Sequence, residues 1–227
     1  DVNIGENCVV LNGGINTVIA WKIKGRILYA MEGYAAVTGS AVQWLRDGLN
    51  IIEKSADSEA LARSVPDTNG VYFVPALTGL GAPYWDPFAR GTIIGITRGT
   101  TKAHICRATL EAIAFSIKDI IDDIAKHTGS AVKEIKIDGG ASANNLLAQF
   151  FADILDCKVA RPASVEATSL GAAQMAGLYA GIWTEEDFEN AVEYDAEFTS
   201  SITAEEREAR YAGWCEAVKR SANWIRH

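Results

Sequence analysis

Residues 134–140 read Glu134-Ile135-Lys136-Ile137-Asp138-Gly139-Gly140, and this stretch decides the fold. A short β-branched run ends in an acid and two glycines and gives way, from about Asn144 to Leu155, to a helical apolar pattern. A second short run, Lys158-Val159-Ala160, then ends at Arg161-Pro162 and leads into a small-residue helix from about Thr168 to Ala180. Strand and helix alternating in this way predict an α/β layer with parallel strand pairing. The turn between the first strand and its helix is also a candidate cradle. Backbone without Cβ atoms admits a flat or anionic ligand, and the helix N-terminus offers N–H donors. A tight β–α turn explains the same residues. The spacing is not G-x-G-x-x-G, so a dinucleotide fingerprint is not supported.

Upstream, the longest predicted helix runs from about Lys102 to His127. Leu110, Ile113, Ile117, Ile120, Ile121 and Ile124 form one apolar stripe, and Ile105, Ala108, Ala112 and Phe115 form another. A helix apolar on two faces is sandwiched between other elements. Before it, Val71-Tyr72-Phe73-Val74 and Ile93-Ile94-Gly95-Ile96 read as strands. They flank Pro75–Gly91, which holds three of the five prolines and is expected to be an ordered, packed loop. Further helices are predicted over Ser58–Arg63 and over Tyr34–Arg46, the latter stopped by Asp47-Gly48. The first thirty residues read as a β-meander. Its runs are Cys8–Leu11, Thr17–Trp21 and Ile27–Ala30, separated by Asn12-Gly13-Gly14 and Lys24-Gly25-Arg26. The last helix opens with Thr203-x-x-Glu206, a capping box. It carries Tyr211, Trp214, Val218, Ala222 and Ile225 on its apolar face, and ends with Lys219, Arg220 and Arg226. No linker is evident, so residues 1–227 are expected to form one α/β domain.

Composition narrows the function classes. The chain has 227 residues, 48% of them hydrophobic and 22% charged, which is globular composition. Cys8, Cys106, Cys157 and Cys215 form no C-x-x-C pair and read as free thiols of a reducing, cytoplasmic compartment. No apolar run approaches the ~18 residues of a membrane span, and no signal-like segment opens the sequence. The net charge of −8 is concentrated between Gly181 and Arg210, where ten acids face two bases. That stretch reads as a solvated surface. An acidic chain without a basic stripe argues against nucleic-acid or anionic-membrane partners. The sequence begins with Asp1 and reads as a piece of a longer protein.

Other chemistry is weak. Gly39 falls inside the predicted Tyr34–Arg46 helix with Gln43 one turn later on the same face. An interior glycine costs about 1 kcal/mol against alanine, which a ligand or a close helix neighbour would explain. The small-residue face around Gly171 and Gly177 suits packing against another helix. His104 and His127 have no second ligand at i+4, so no metal site is expected. Asp122 and Asp123 are adjacent and face different directions, and Asp86 is expected to fasten its loop. No residue is assigned as catalytic.

Taken jointly, these segments resemble the C-terminal half of FGGY-family carbohydrate kinases, the glycerol-kinase branch in particular. The resemblance covers nearly the whole chain. It rests on Gly91–Gly95 followed by His104-Ile105-Cys106-Arg107-Ala108-Thr109-Leu110-Glu111, on Thr78–Gly91, on Ser40–Asp47, and on Asp138-Gly139-Gly140 with Asn144-Asn145. It implies a ribonuclease H-like, actin/hexokinase-type ATPase domain, the nucleotide-binding half of an enzyme transferring the γ-phosphoryl group of ATP to a polyol hydroxyl. Gly39, Gln43, Gly139, Gly140 and Asn144 match nucleotide-contacting positions. The helix around Gly171 resembles a hinge-side connecting segment. A separate N-terminal domain is implied to supply the catalytic Asp, the contacts to the polyol or sugar substrate and most of the hold on Mg²⁺, so this chain alone is expected to be inactive. Another FGGY sugar kinase, acting on a ketose or sugar acid, and a non-catalytic remnant domain are the alternatives; a homo-oligomer is left open. Two positions depart from the family pattern. Gly5-Glu6-Asn7 stands where a Gly-Thr-Gly phosphate turn is usual, and Val9 stands where an aromatic packs on the substrate.

Overall fold

The computed structural model describes residues 1–11, 13–164, 166–190 and 192–225. Within them the chain forms two units, Asp1–Val132 with Thr203–His227, and Lys133–Ile202. Asn12, placed in the expected first turn, and Arg226, placed at the end of the last helix, lie outside the described residues.

The first unit opens with strands β1 (Val2–Gly5), β2 (Asn16–Ile23) and β3 (Arg26–Glu32) in one antiparallel sheet of order β1-β3-β2. The β2–β3 hairpin follows the sequence reading. Lys24 and Gly25 both take positive φ, 49° and 85°, the turn geometry whose twist matches a two-residue hairpin. The first strand does not. Cys8–Leu11 is irregular, and β1 lies further upstream, pairing Val2 with Met31. Both edges of β3 are filled, by β1 and by β2, so the apolar run at 8–11 finds no place beside it. Val9 and Val10 stand exposed, with the Val9 carbonyl held by the Thr17 hydroxyl.

Helix α1 (Gly39–Asp47) starts five residues later than expected. Residues 34–38 are claimed instead by the proline-rich loop: the Ala82 N–H donates to the Tyr34 carbonyl at 2.8 Å. Gly39 is therefore the first residue of the helix, not an interior one, and the interior-glycine cost does not apply to it. Helix α2 (Asp57–Arg63) and the antiparallel pair β4 (Tyr72–Val74) and β5 (Thr92–Ile94) follow. The loop between β4 and β5 is ordered, and Asp86 fastens it as expected. Its carboxylate accepts from the N–H groups of Phe88 (2.8 Å), Ala89 (3.1 Å) and Asn223 (2.7 Å).

Helix α3 (Lys102–Thr128) is capped reciprocally by Thr101 and His104 and ends at Gly129 in the left-handed conformation. Both expected stripes are used. Ala108 joins Val37, Ala41, Val71 and Phe73 in one core cluster, while Ile120 and Ile124 join Ile15, Met31 and Ala82 in another.

The second unit contains β6 (Glu134–Lys136), a 3₁₀ turn (Gly140–Ala143), α4 (Asn145–Leu155), β7 (Lys158–Pro162), α5 (Ala167–Tyr179), α6 (Glu185–Asn190) and β8 (Tyr194–Phe198). β6 and β7 pair in parallel, as the alternation predicts. β8, unforeseen, adds an antiparallel edge to β7. It lies in the acidic stretch, whose described acids are exposed as expected, and there Asp195 pairs with Arg161 and Glu197 with Lys158. Among the described residues, a Cβ at Gly171 of α5 would meet nothing within 4 Å, and one at Gly177 would meet the Trp183 ring.

The chain re-enters the first unit through α7 (Ala204–Ser221). The Thr203 side chain accepts from Glu206 N–H at 3.2 Å, but the Glu206 carboxylate turns to Arg210 at 2.6 Å, so the expected box is half formed. The helix ends before Ile225 because Asn223 takes φ 50° and its N–H goes to Asp86. Trp214 stacks on Phe115 of α3 at 5.5 Å between centroids. Beneath them Asp119, buried, accepts from the Tyr211 hydroxyl (2.6 Å) and the Trp214 indole N–H (2.8 Å). Among the described residues all four cysteines are free; Cys106 and Cys157 are buried and Cys8 is exposed.

Burial pushes the Asp119 carboxyl above its ordinary range, against the downward pull of hydrogen bonds from Tyr211, Trp214 and Tyr84. A folded pKa above the unfolded value of about 3.9 gives a contribution to stability that is full below that value and lost as pH rises through the folded pKa. Asp119→Asn can still accept from Trp214 and donate to Tyr211, and is expected to flatten this pH dependence. Asp119→Leu leaves the Tyr211, Trp214 and Tyr84 donors without their acceptor and should cost about 2–4 kcal/mol at pH 7. Urea titrations between pH 4 and 8 measure both.

Candidate functional site

The five residues singled out in the sequence fall into two groups, one in each unit. Gly39 and Gln43 belong to α1. That helix is fixed by its other face: Trp44 stacks on Phe73 at 5.4 Å, and Ala41, Val42 and Leu45 are buried. The consequence is that Gln43 stays exposed, four residues on from the half-buried Gly39 and on the same side of the helix.

Gly139, Gly140 and Asn144 come together after β6. Gly139 adopts φ +80°, a conformation that side chains other than glycine rarely take. Its carbonyl then accepts from both the N–H (3.0 Å) and the hydroxyl (2.7 Å) of Ser142, winding the chain into the 3₁₀ turn. A Cβ at Gly139 or Gly140 would meet nothing within 4 Å, so these glycines are not bare to fit a neighbour in this chain. Asn144 is the N-cap of α4, its side-chain oxygen accepting from Leu147 N–H at 3.0 Å. The helix is anchored by Leu146, Leu147, Phe150, Phe151 and Ile154, all buried. Its carboxylate Asp153 accepts from the N–H (2.7 Å) and hydroxyl (3.0 Å) of Ser201 beyond β8. The result is a rigid turn whose open side carries glycine backbone, at the positive end of an eleven-residue helix.

Two features escaped the sequence reading. Arg161, near the end of β7, reaches the turn. Its Nη1 donates to the Ser142 carbonyl (2.9 Å) and to Asn145 Oδ1 (2.8 Å), and its Nε donates to Asp195 Oδ1 (2.9 Å). Its sequence neighbourhood, Ala160-Arg161-Pro162, gives no sign of this, because its partners lie 16 to 34 residues away. A cavity of about 680 Å³ also opens where β6 and β7 end, lined by Ile137, Asp138, Pro162, Ala163, Leu170 and Gln174 among others. Among the described residues no group of three or more His, Cys, Asp or Glu side chains is placed to hold a metal ion, and no helix is long and apolar enough to cross a membrane.

Known proteins similar to the chain fall into one class. The sequence profile of the FGGY family of carbohydrate kinases, C-terminal domain, matches residues 12–180, and the chain belongs to that family. A glycerol kinase of Saccharolobus islandicus is 52% identical over 227 residues, covering 99% of this chain and 45% of its own length. Glycerol kinase 2 of Thermotoga maritima is 51% identical over 224 residues, with 98% and 45% covered. Among solved structures, Plasmodium falciparum glycerol kinase with ADP superposes with a TM-score of 0.90 at 35% identity, over 99% of this chain and 45% of that one. A xylulose kinase from Rhodospirillum rubrum gives 0.76 at 26% identity, over 90% and 42%. The fold is thus the ribonuclease H-like, actin/hexokinase-type ATPase domain. The chain spans about 45% of the length of the curated relatives it matches.

The cap of α4 can be tested by itself. Asn144→Ala removes the acceptor for Leu147 N–H and should cost about 1 kcal/mol, whereas Asn144→Asp keeps the acceptor and places a negative charge at the positive end of the helix, leaving stability equal or higher. Urea unfolding of the three proteins side by side is the measurement.

Proposed function

We propose that this chain is the nucleotide-binding half of a glycerol-kinase-like phosphotransferase, which moves the γ-phosphoryl group of ATP to a hydroxyl of a polyol. The observation that carries the reading is the run of about 50% identity with glycerol kinases along 99% of the chain. The ADP-bound Plasmodium glycerol kinase, alike in fold at a TM-score of 0.90, supports the nucleotide as ligand. In this reading Gly39, Gln43, Gly139, Gly140 and Asn144 are nucleotide-contacting positions. The open space at Gly139 and Gly140 and the donors at the start of α4 suit such a ligand.

Phosphoryl transfer depends on positioning and charge stabilisation more than on covalent chemistry. Mg²⁺, when bound, neutralises charge on the phosphates. The reading assigns most of its protein ligands, the base that takes the hydroxyl proton and the polyol contacts to an N-terminal domain of the whole protein. What this chain contributes is the nucleotide's orientation. At the opening turn, Gly5 has φ +78° and the exposed Glu6 lies 3.4 Å from Arg26 Nε, which offsets part of its charge.

Replacing Gly140 with arginine fills the bare side of the turn without touching the core. Gly140→Arg is expected to abolish the amide shifts that ADP induces while leaving the folded spectrum otherwise intact; unchanged ADP-induced shifts would remove this turn from the site. Glu6 tests the phosphate side. One like charge about 5 Å away in water opposes a phosphate by about 1 kcal/mol, roughly fivefold in affinity. Glu6→Thr should therefore tighten ATP by about that factor and leave adenosine unchanged, as read by calorimetry with adenosine, ADP and ATP.

A further inference from the structure

We propose that Arg161 is a positioning residue for the nucleotide-binding turn, holding residues 142–145 in their binding shape through the Ser142 carbonyl and the Asn145 side chain. The inference rests on the nucleotide reading above and goes beyond it by naming what makes the turn rigid. The guanidinium is largely buried, with 12% of its side-chain surface exposed, and lies over the Phe198 ring at 5.9 Å. Its donors go in two directions. Nη1 grips the turn at two points, the Ser142 carbonyl and the Asn145 side-chain oxygen. Nε is tied to Asp195 on β8, whose carboxyl the Arg161 hydrogen bond holds below the usual carboxylate range. A planar fork can satisfy these separate acceptors at once, and a lysine ammonium on its single flexible stem cannot.

The peptide plane turns this grip into an orientation. In a trans peptide the carbonyl of one residue and the N–H of the next point in opposite directions. Holding the Ser142 carbonyl against Arg161 therefore aims the Ala143 N–H away from it. Holding Asn145 Oδ1 likewise fixes the first residue of α4 and, through it, the register of the Asn144 cap. The charge of Arg161 is already matched by Asp195, so its contribution is geometric, not that of a cation reaching for phosphate.

The test is titration of the whole 227-residue chain with ADP, for the unmodified protein, Arg161→Lys, Arg161→Met and Asp195→Asn, with thermal melting and amide hydrogen exchange at residues 142–145 followed in parallel. Arg161→Lys is expected to lose tenfold or more in ADP affinity and to exchange the turn amides at least tenfold faster, while the melting temperature shifts by a few degrees. Arg161→Met should behave like the lysine variant, and Asp195→Asn should stay within threefold of the unmodified protein, since its amide oxygen still accepts from Nε. A lysine variant that keeps full ADP affinity would overturn the proposal, as it would assign Arg161 a charge role or none. So would a loss of affinity in Arg161→Lys with unchanged exchange at 142–145. If the unmodified chain binds no ADP, the nucleotide reading fails and this proposal fails with it; equal binding by the variant sinks this proposal alone.

Discussion

Every residue of α3 from Ala108 to Phe115 is buried. A helix without a solvent face must have apolar neighbours on all sides and a partner for each polar group it carries inward. Thr109 returns its hydroxyl to the Ile105 carbonyl. Glu111 lies against Arg107 at 3.3 Å and Arg210 at 3.7 Å, and Arg107 in turn donates to the Val65 carbonyl beyond α2. Burial raises the Glu111 pKa against the opposing pull of the two arginines. Ile105 and Arg107 belong to α3 itself, while Arg210 comes from α7 and the Val65 carbonyl from the segment after α2, so satisfying this one helix fixes α2 and α7 against it. Leaving a buried carboxylate without its arginine is far costlier than an ordinary lost contact, which makes the arrangement close to all-or-none.

The candidate site follows a different logic. Its members are glycines and carboxamides, without a net charge among them, and their shape comes from elements packed elsewhere. Gln43 is presented because α1 buries the opposite face, and Gly139 is presented because Ser142 folds the turn back on its carbonyl. In the proposed reading such a surface recognises a flat, neutral base and a sugar, and leaves the phosphates to be met by other groups. In the same reading, Glu6 beside Arg26 stands where the family resemblance leads one to expect the hydroxyl of a phosphate turn.

Elements with a strong local period were readable in the sequence. The two stripes of α3, the parallel β6–β7 pair, the start of α4 near Asn144 and the hairpin turn at Lys24-Gly25 all express their structure in adjacent residues. What could not be read depends on distant competition. Cys8–Leu11 has the composition of a strand, but β1 and β2 occupy both edges of β3. Residues 34–38 suit a helix until the Ala82 N–H takes the Tyr34 carbonyl. β8 is masked by acids whose partners, Lys158 and Arg161, stand more than thirty residues earlier. The glycine turn was visible as a pattern, while its clamp was not, because Arg161 meets its partners only once β7 and β8 are side by side.

The first unit is discontinuous in sequence, and that has a consequence for how the protein can be made. Its core is closed by Trp214 against Phe115 and Asp119, yet α7 follows the seventy residues of the second unit. A ribosome adding about 5–20 residues per second exposes α3 for several seconds before its covering helix exists. The second unit, by contrast, is one unbroken segment whose sheet can pair as soon as β8 emerges. During synthesis, then, the inserted segment can be finished first, and the unit on either side of it must wait for α7.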